Sequence, residues 1–170
     1  MLIVFTDCQF VTEIGIKELG NLPKLEDLNI LGMSQITGKS FKFFNNLKRV
    51  DISNCTGMRK EGLCCLINQC EKLKKLKLVN CSRKVIIAFL KSIDGLLRVR
   101  ENNIDLLMTL SDEVRIRLTT ITSNTFENKK AKIWYEVYRN DLATDKLMRF
   151  CYADENFTAS VDSLMKGYLL

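Results

Sequence analysis

Seven cysteines are the residues of this 170-residue chain that most directly suggest chemistry, because a thiolate can bind zinc or act as a nucleophile. Cys64, Cys65 and Cys70 lie close together, as ligands of a structural zinc ion often do. The chain, however, has no histidine and no Cys-x-x-Cys pair. Ligand type and spacing therefore both argue against zinc, and we expect neither a metal nor any other cofactor.

Catalysis by one of these thiols is not expected either. A cysteine nucleophile usually takes its base from a neighbouring histidine, and histidine is also the commonest general acid or base. The eight glycines are scattered and form no phosphate-binding loop. We therefore expect a binding protein and not an enzyme.

Several of the cysteines instead belong to an internal repeat. Cys8, Met33, Cys55 and Cys81 are separated by 25, 22 and 26 residues, and each follows a short stretch of alternating apolar residues. The alternating pairs are Ile3/Phe5, Leu28/Ile30, Val50/Ile52 and Leu76/Leu78. Alternation of this kind is typical of a strand with one buried face, so the pattern predicts four adjacent, parallel, in-register strands.

A second set of apolar residues in each repeat has helical spacing. These pairs are Ile16/Leu19, Phe41/Phe44 and Leu63/Leu66. One strand and one short helix cannot bury both apolar faces alone, whereas stacked units form a continuous core between a sheet and a helical layer. The pattern predicts an α/β solenoid with parallel strands on the concave face and short helices on the convex face.

The repeat resembles the cysteine-containing leucine-rich repeat of F-box/LRR proteins, whose motif is roughly LxxLxLxxCxxITDxGLxxLxxxCxxL. The unit beginning at Leu47 matches it nearly position for position, and TEIGIKEL from Thr12 matches its TDxGLxxL part. The matching residues of that unit are Leu47, Val50, Ile52, Cys55, Met58, Gly62, Leu63, Leu66, Cys70 and Leu73. The resemblance covers about residues 2–90 and implies a protein-binding role, with substrate recognition in an SCF-type ubiquitin ligase as the specific expectation.

The repeat also predicts which side chains form the binding surface. Residues between and just after the buried strand positions point out of the concave face. The candidate partner-binding residues are Asp27, Asn29, Arg49, Asp51, Ser53, Lys75 and Lys77. Residues 1–93 carry 15 Lys and Arg against 8 Asp and Glu, whereas residues 94–170 carry 11 against 12, so the basicity belongs to the repeats.

This basic face favours an acidic or phosphorylated segment of a partner protein. A nucleic-acid-associated role is the alternative, although no aromatic residue accompanies the lysines to stack on bases, so nucleic acid is the less favoured ligand. Ordinary solvated charge, or a degenerate copy with no independent role, also fits the pattern.

No F-box is visible, so the resemblance implies binding to a Skp-type adaptor only if an F-box lies upstream in a longer chain. Reversing Arg49, Lys75 and Lys77 to Glu is expected to weaken binding and leave the fold intact.

We expect residues 1–93 to form the leucine-rich repeats, with about four strands, and residues 94–170 to form degenerate repeats or a C-terminal helical cap, which makes the C-terminal part an irregular α/β cap. Leu96 and Val99 could open a degenerate fifth strand, with Ile104 at the cysteine position. Alternation at Val114, Ile116 and Leu118 predicts a strand. Helices are expected at 131–138 and 142–152, and a loop in the segment NTFENKK from Asn124.

The N-terminal segment gives two further expectations. It reaches Asp7 too early for the apolar region of a signal peptide, and no stretch approaches the roughly 18 apolar residues of a membrane span. We therefore expect an intracellular protein, cytoplasmic or nuclear, with no membrane partner. Cys8 also lies too near Met1 for its repeat to have a leading leucine, so the first strand should be an uncovered edge.

Overall fold

The computed structural model describes the backbone of residues 1–98, 104–109, 114–121, 132–141 and 144–152, and the side chains of residues 1–93 and 104–108. The strands are β1 (Leu2–Thr6), β2 (Asp27–Leu31), β3 (Arg49–Asp51), β4 (Lys75–Leu78), β5 (Asp105–Thr109), β6 (Val114–Ile121), β7 (Lys132–Asp141) and β8 (Thr144–Tyr152). The helices are α1 (Glu13–Leu19), a 3₁₀ helix (Lys39–Phe43), α2 (Lys60–Gln69) and α3 (Arg83–Arg98).

The described strands form one sheet in the order in which they occur in the chain. Strands β1 to β5 are parallel, and Leu28 pairs with Ile3 on one side and with Val50 on the other. Val50 in turn pairs with Leu76, so the four predicted strands are adjacent, parallel and in register, as expected. The fold is therefore α/β, with a parallel five-strand region and short helices.

Helices cover the face of the sheet that carries the alternating apolar residues. The predicted helix residues Ile16, Phe41, Leu63 and Leu66 are buried in the same core as the strand residues. The leucines that lead into the strands are buried as well, at Leu25, Leu47 and Leu73. Since each connection between parallel strands passes through a helical segment on this face, the core is continuous along the stack.

Each of the first four strands is followed, within three residues, by a residue with a left-handed backbone. Asp7, Gly32, Asn54 and Asn80 have φ values of 51°, 69°, 61° and 55°, and each directly precedes one of the Cys or Met positions of the repeat. Glycine, Asn and Asp are the residues that adopt this conformation most easily. A column of small or polar residues in the sequence therefore marks where each of these four strands turns towards the helical layer.

Cys55, which is buried, and Cys81, which is partly buried, join neighbouring units through their thiols. Cys55 Sγ donates to the carbonyl of Ile30 at 3.0 Å, and Cys81 Sγ donates to the carbonyl of Ile52 at 3.1 Å. In each case the acceptor belongs to the preceding repeat. A small side chain with a weak S–H donor fits this buried position, because it fills space and also satisfies a strand-end carbonyl.

The second half of the chain corrects two expectations about helices. Residues 131–138 and 142–152 were expected to be helical, but Lys132–Asp141 and Thr144–Tyr152 are antiparallel strands. The spacing of Ile133, Trp134, Val137 and Tyr138 fits a helix, but β-branched and aromatic residues also favour strands. The strand predicted from Val114, Ile116 and Leu118 is present as β6, and it pairs with β7 along its whole length. Where the structure describes the two segments expected to be helical, they are therefore antiparallel β strands.

The fifth parallel strand also lies elsewhere than expected. Leu96 is part of α3, which runs across residue 94, and Val99 lies outside the described residues. The strand is Asp105–Thr109, and Ile104 comes just before it instead of at a cysteine position. Leu106 and Met108 are the buried alternating residues of this unit. The NTFENKK segment lies outside the described residues.

Candidate functional site

The open face of the sheet is the face that points away from the helices. Because Leu28, Val50 and Leu76 turn into the core, the residues on either side of them in each strand point the other way. The face therefore contains six of the seven predicted residues, namely Asp27, Asn29, Arg49, Asp51, Lys75 and Lys77, while Ser53 lies two residues beyond the end of β3. These six line a groove of about 340 Å³.

Parallel register arranges these residues in two rows that cross the strands. The first row is Leu2, Asp27, Arg49, Lys75 and Asp105, and the second row is Val4, Asn29, Asp51, Lys77 and Leu107. Residues in a row occupy neighbouring strands about 4.8 Å apart, so each side chain lies beside the next. The rows begin with apolar residues on β1 and reach their cations on β3 and β4.

Asp27 and Arg49 form a two-point ion pair in the first row. The Arg49 guanidinium donates through Nε to Asp27 Oδ1 and through Nη2 to Asp27 Oδ2, the second bond measuring 2.7 Å. Asp27 is 9% exposed. The hydrogen bonds from Arg49 hold the pKa of the Asp27 carboxyl below its usual value, against the opposing effect of burial. Arg49 is therefore already ion-paired within the fold and is less available to a ligand.

Asp51 occupies the middle of the second row and has two neighbours. Its Oδ1 accepts from the backbone N–H of Ser53 at 3.1 Å and from the Ser53 hydroxyl. Its Oδ2 lies 3.5 Å from Lys77 Nζ, a longer and weaker ion pair than that of Arg49. Ser53 thus acts on the face by orienting Asp51, and Lys77 remains about half exposed.

Lys75 lies between Arg49 and Asp105 in the register of the first row, and it is exposed. Among the residues whose side chains the structure describes, no carboxylate forms an ion pair with Lys75. At the edge of the face, Lys48 pairs with Glu26 at 2.6 Å. The face is thus not uniformly basic, because Arg49 and Lys48 are paired and Lys77 is partly paired, which leaves Lys75 as its most available cation.

Sequence reasoning missed the two ends of this surface. Leu2 and Val4 extend it on β1, and Asp105 and Leu107 extend it on β5. The sequence could have predicted Leu2 and Val4 as open-face residues, since they alternate with the core-facing Ile3 and Phe5. Asp105 and Leu107 were missed because the fifth strand was expected earlier in the chain.

The cysteines considered as zinc ligands do not converge. Cys64 and Cys65 lie on α2, whereas Cys70 ends that helix and donates its thiol to the carbonyl of Phe44 at 3.2 Å. Burial raises the pKa of the Cys64 thiol, which disfavours a metal-binding thiolate. Within the described part of the chain, no group of three or more Cys, Asp or Glu residues is placed to hold a metal ion.

None of the helices in the described residues combines the length and apolar character needed to cross a membrane. No family model matches the chain, and no curated protein is significantly similar to it.

Proposed function

We propose that this chain is a protein-binding module of the leucine-rich-repeat type, whose open face binds an acidic or phosphorylated segment of a partner protein. The observation that carries the proposal is the placement of Lys75 and Lys77 side by side along one edge of the groove, next to the Asp27–Arg49 pair. The cations project from a sheet whose other face is packed, so the backbone that carries them is already ordered before a ligand binds.

The regularity of the stack supports the leucine-rich-repeat assignment. A strand pair that faces the core, a left-handed turn residue, a Cys or Met and a helical segment recur in the same order along the first four repeats. Stacked repeats of this kind commonly present an extended binding surface on the strand side. We propose on the same resemblance that the partner is a substrate of an SCF-type ubiquitin ligase. Contact with a Skp-type adaptor would then require an F-box in a longer chain.

The charges on the open face favour protein over nucleic acid as the ligand. Asp27 and Asp51 lie among the cations, and a phosphate backbone crossing the groove would approach both carboxylates. A protein ligand can place one anionic group near Lys75 and donors near the carboxylates. For the same reason we propose binding rather than catalysis, since the groove contains paired charges and no histidine. We further propose a cytoplasmic or nuclear location, which suits the free cysteines of the described region.

Affinity capture with matched charge reversals tests this function. The full chain and a Lys75→Glu/Lys77→Glu variant would be used to capture partners from a cell extract, with and without phosphatase treatment. Lys60→Glu/Lys84→Glu is the control, because it makes the same change in net charge on α2 and α3. We expect partners common to the wild type and the control to be lost from the open-face variant. Equal capture by all three proteins would contradict the proposal, and loss after phosphatase treatment would identify a phosphorylated ligand.

A further inference from the structure

The groove on the open face has exposed apolar residues of β1 at one end and the two lysines of β4 at the other. Leu2 and Val4 on β1 are 57% and 50% exposed, although both are large apolar side chains. They begin the same two rows that contain Lys75 and Lys77 on β4. Leu2 also lines the groove together with both lysines. One continuous groove therefore joins exposed apolar surface to exposed positive charge.

The distance between the two ends corresponds to a definite length of peptide. Strands β1 and β4 are three strand spacings apart, which is about 14 Å at 4.8 Å per spacing. An extended peptide rises about 3.4 Å per residue, so roughly four residues cover that distance. Side chains of an extended chain alternate between its two sides, so residues four positions apart point the same way. A peptide crossing the strands can thus direct both side chains onto the face.

The middle of the groove suits the backbone of such a peptide. Asp27 and Arg49 neutralise each other there, and Asp51 accepts from Ser53 and lies 3.5 Å from Lys77 Nζ, so both carboxylates of the middle already have partners. Asn29 pairs with Asp51 in the second row, and its amide can donate to or accept from a peptide group. The two ends of the groove therefore select particular side chains of the peptide, whereas the polar middle contacts its backbone and accepts many sequences.

We infer that the ligand is an extended peptide segment with a large apolar residue and an anionic residue four positions apart. The apolar side chain covers Leu2 and Val4, and the anionic side chain lies at Lys75 and Lys77. This inference rests on the proposed function and adds the spacing and the chemistry of the recognised segment. Complementary charge at one end and complementary apolar surface at the other are what identify this occupant.

Selection from a random peptide library tests the inference. The full chain would be immobilised and used to select from random twelve-residue peptides displayed on phage. We expect enrichment of Leu, Ile or Phe four positions from Glu or Asp, in either chain direction. Synthetic peptides with Leu and Glu four positions apart, and the same peptides with phosphoserine in place of Glu, then distinguish a carboxylate from a phosphate as the anion.

Two variants test which part of the groove binds the anionic residue of the peptide and which part binds its apolar residue. Lys75→Glu/Lys77→Glu should weaken binding of the synthetic peptides at least tenfold and, in a repeated selection, replace the acidic residue by Lys or Arg. Leu2→Ser/Val4→Ser should remove the apolar preference and keep the acidic one. The Lys60→Glu/Lys84→Glu control should select the same peptides as the wild type. Circular dichroism of each variant checks that it is folded.

The remaining outcomes separate this inference from the proposed function. Peptides that lose binding in the Lys75→Glu/Lys77→Glu variant but show no four-residue spacing would overturn the inference and leave the open face as a binding surface. Failure to enrich any peptide would also overturn it, while affinity capture still tests the function. Peptides that bind the wild type and every variant equally would contradict both.

Discussion

The carboxylate of Glu13, in the first turn of α1, accepts a hydrogen bond from the backbone N–H of Gly38, 25 residues further along the chain, at 2.8 Å. It also accepts from Thr37 Oγ1 at 2.8 Å and from the Ser40 N–H at 2.9 Å. These donors lie where the 3₁₀ helix of the next unit begins, and Gly38 has the left-handed φ of 88°. Glu13 thus caps the N-terminus of the 3₁₀ helix in the next unit and joins the two units by charge-assisted hydrogen bonds.

Neutralising this carboxylate should weaken the contact between the two units. Burial alone raises the pKa of Glu13, but hydrogen bonds from Ser40 and Thr37 outweigh it and place the pKa below 4.5. We expect Glu13→Gln to lower the free energy of unfolding by about 1 kcal/mol at neutral pH, because neutral hydrogen bonds replace charged ones. Urea denaturation measures this change, and Glu18→Ala, on an exposed position of the same helix, is the control.

The pH dependence of that difference has a definite sign. A carboxyl whose pKa is lower in the folded state contributes stability that is complete above its unfolded value, here 4.5, and is lost as the pH falls through the folded pKa. The gap between wild type and Glu13→Gln should therefore stay constant above about pH 5 and shrink in more acidic solution. A gap that widens on acidification would contradict the capping role.

Gly62 should be intolerant of a change that usually stabilises a helix. It is buried in α2, and a β carbon placed there would lie 2.6 Å from the carbonyl oxygen of Thr37 and 2.7 Å from Gly38 Cα. We expect Gly62→Ala to destabilise the protein by about 2 kcal/mol, since overpacking outweighs the gain in helix propensity. Asn68→Ala, at an exposed position of the same helix, should be neutral or slightly stabilising. Thermal unfolding compares the two variants, and a stabilised Gly62→Ala would show that the units are not closely packed here.

The Cys81 thiol should react very slowly in the folded protein. Burial raises its pKa to about 11, and the thiol donates to Ile52. At pH 8 only roughly one thiol in a thousand is then ionised, and the thiolate is the reactive form. Alkylation by iodoacetamide, followed by mass spectrometry of peptides, should show Cys81 protected in buffer and labelled in urea. Rapid labelling in buffer would mean that this thiol is not held between the units.

Arg49 and Lys75 should differ in their effect on stability, although both lie on the open face. The sequence alone predicts that Arg49, Lys75 and Lys77 can all be reversed to Glu without loss of stability. The Asp27–Arg49 pair corrects this for Arg49, because Arg49→Glu would place a second carboxylate beside the poorly exposed Asp27. We expect Arg49→Glu to lower the melting temperature and Lys75→Glu to leave it nearly unchanged. The swap Asp27→Arg/Arg49→Asp should recover part of the loss, and failure to recover any of it would argue against a direct pair.

The parallel part of the fold was predictable because its signal is repeated. Each alternating pair has the same neighbours in the sequence, so Val50 and Leu76 could be aligned before their pairing was known. The open-face residues followed from the same alternation. The ion pairs on this face could not be predicted from the alternation, because they depend on side-chain geometry. Arg49 forms two hydrogen bonds to Asp27, whereas Lys75 has no carboxylate partner among the described side chains.

The antiparallel part was less predictable because it lacks a repeat. Around Trp134 the apolar residues fit both a helix and a strand, and local spacing cannot choose between them. The choice depends on pairing with β6 and β8, which is a tertiary effect. The fifth parallel strand was misplaced for a related reason, since α3 is longer than the helices before it and delays the strand to Asp105.

Site-specific photo-cross-linking tests most directly whether the open face is the surface that binds a partner. A benzophenone amino acid would replace Asn29, which lines the groove, or Asn68, which is exposed on α2. The protein would be irradiated in a cell extract and its adducts resolved by mass. We predict a discrete adduct from the Asn29 position that disappears when Lys75→Glu/Lys77→Glu is added, and none from the Asn68 position. A discrete adduct from the Asn68 position alone would place the partner on the helical layer and contradict the account.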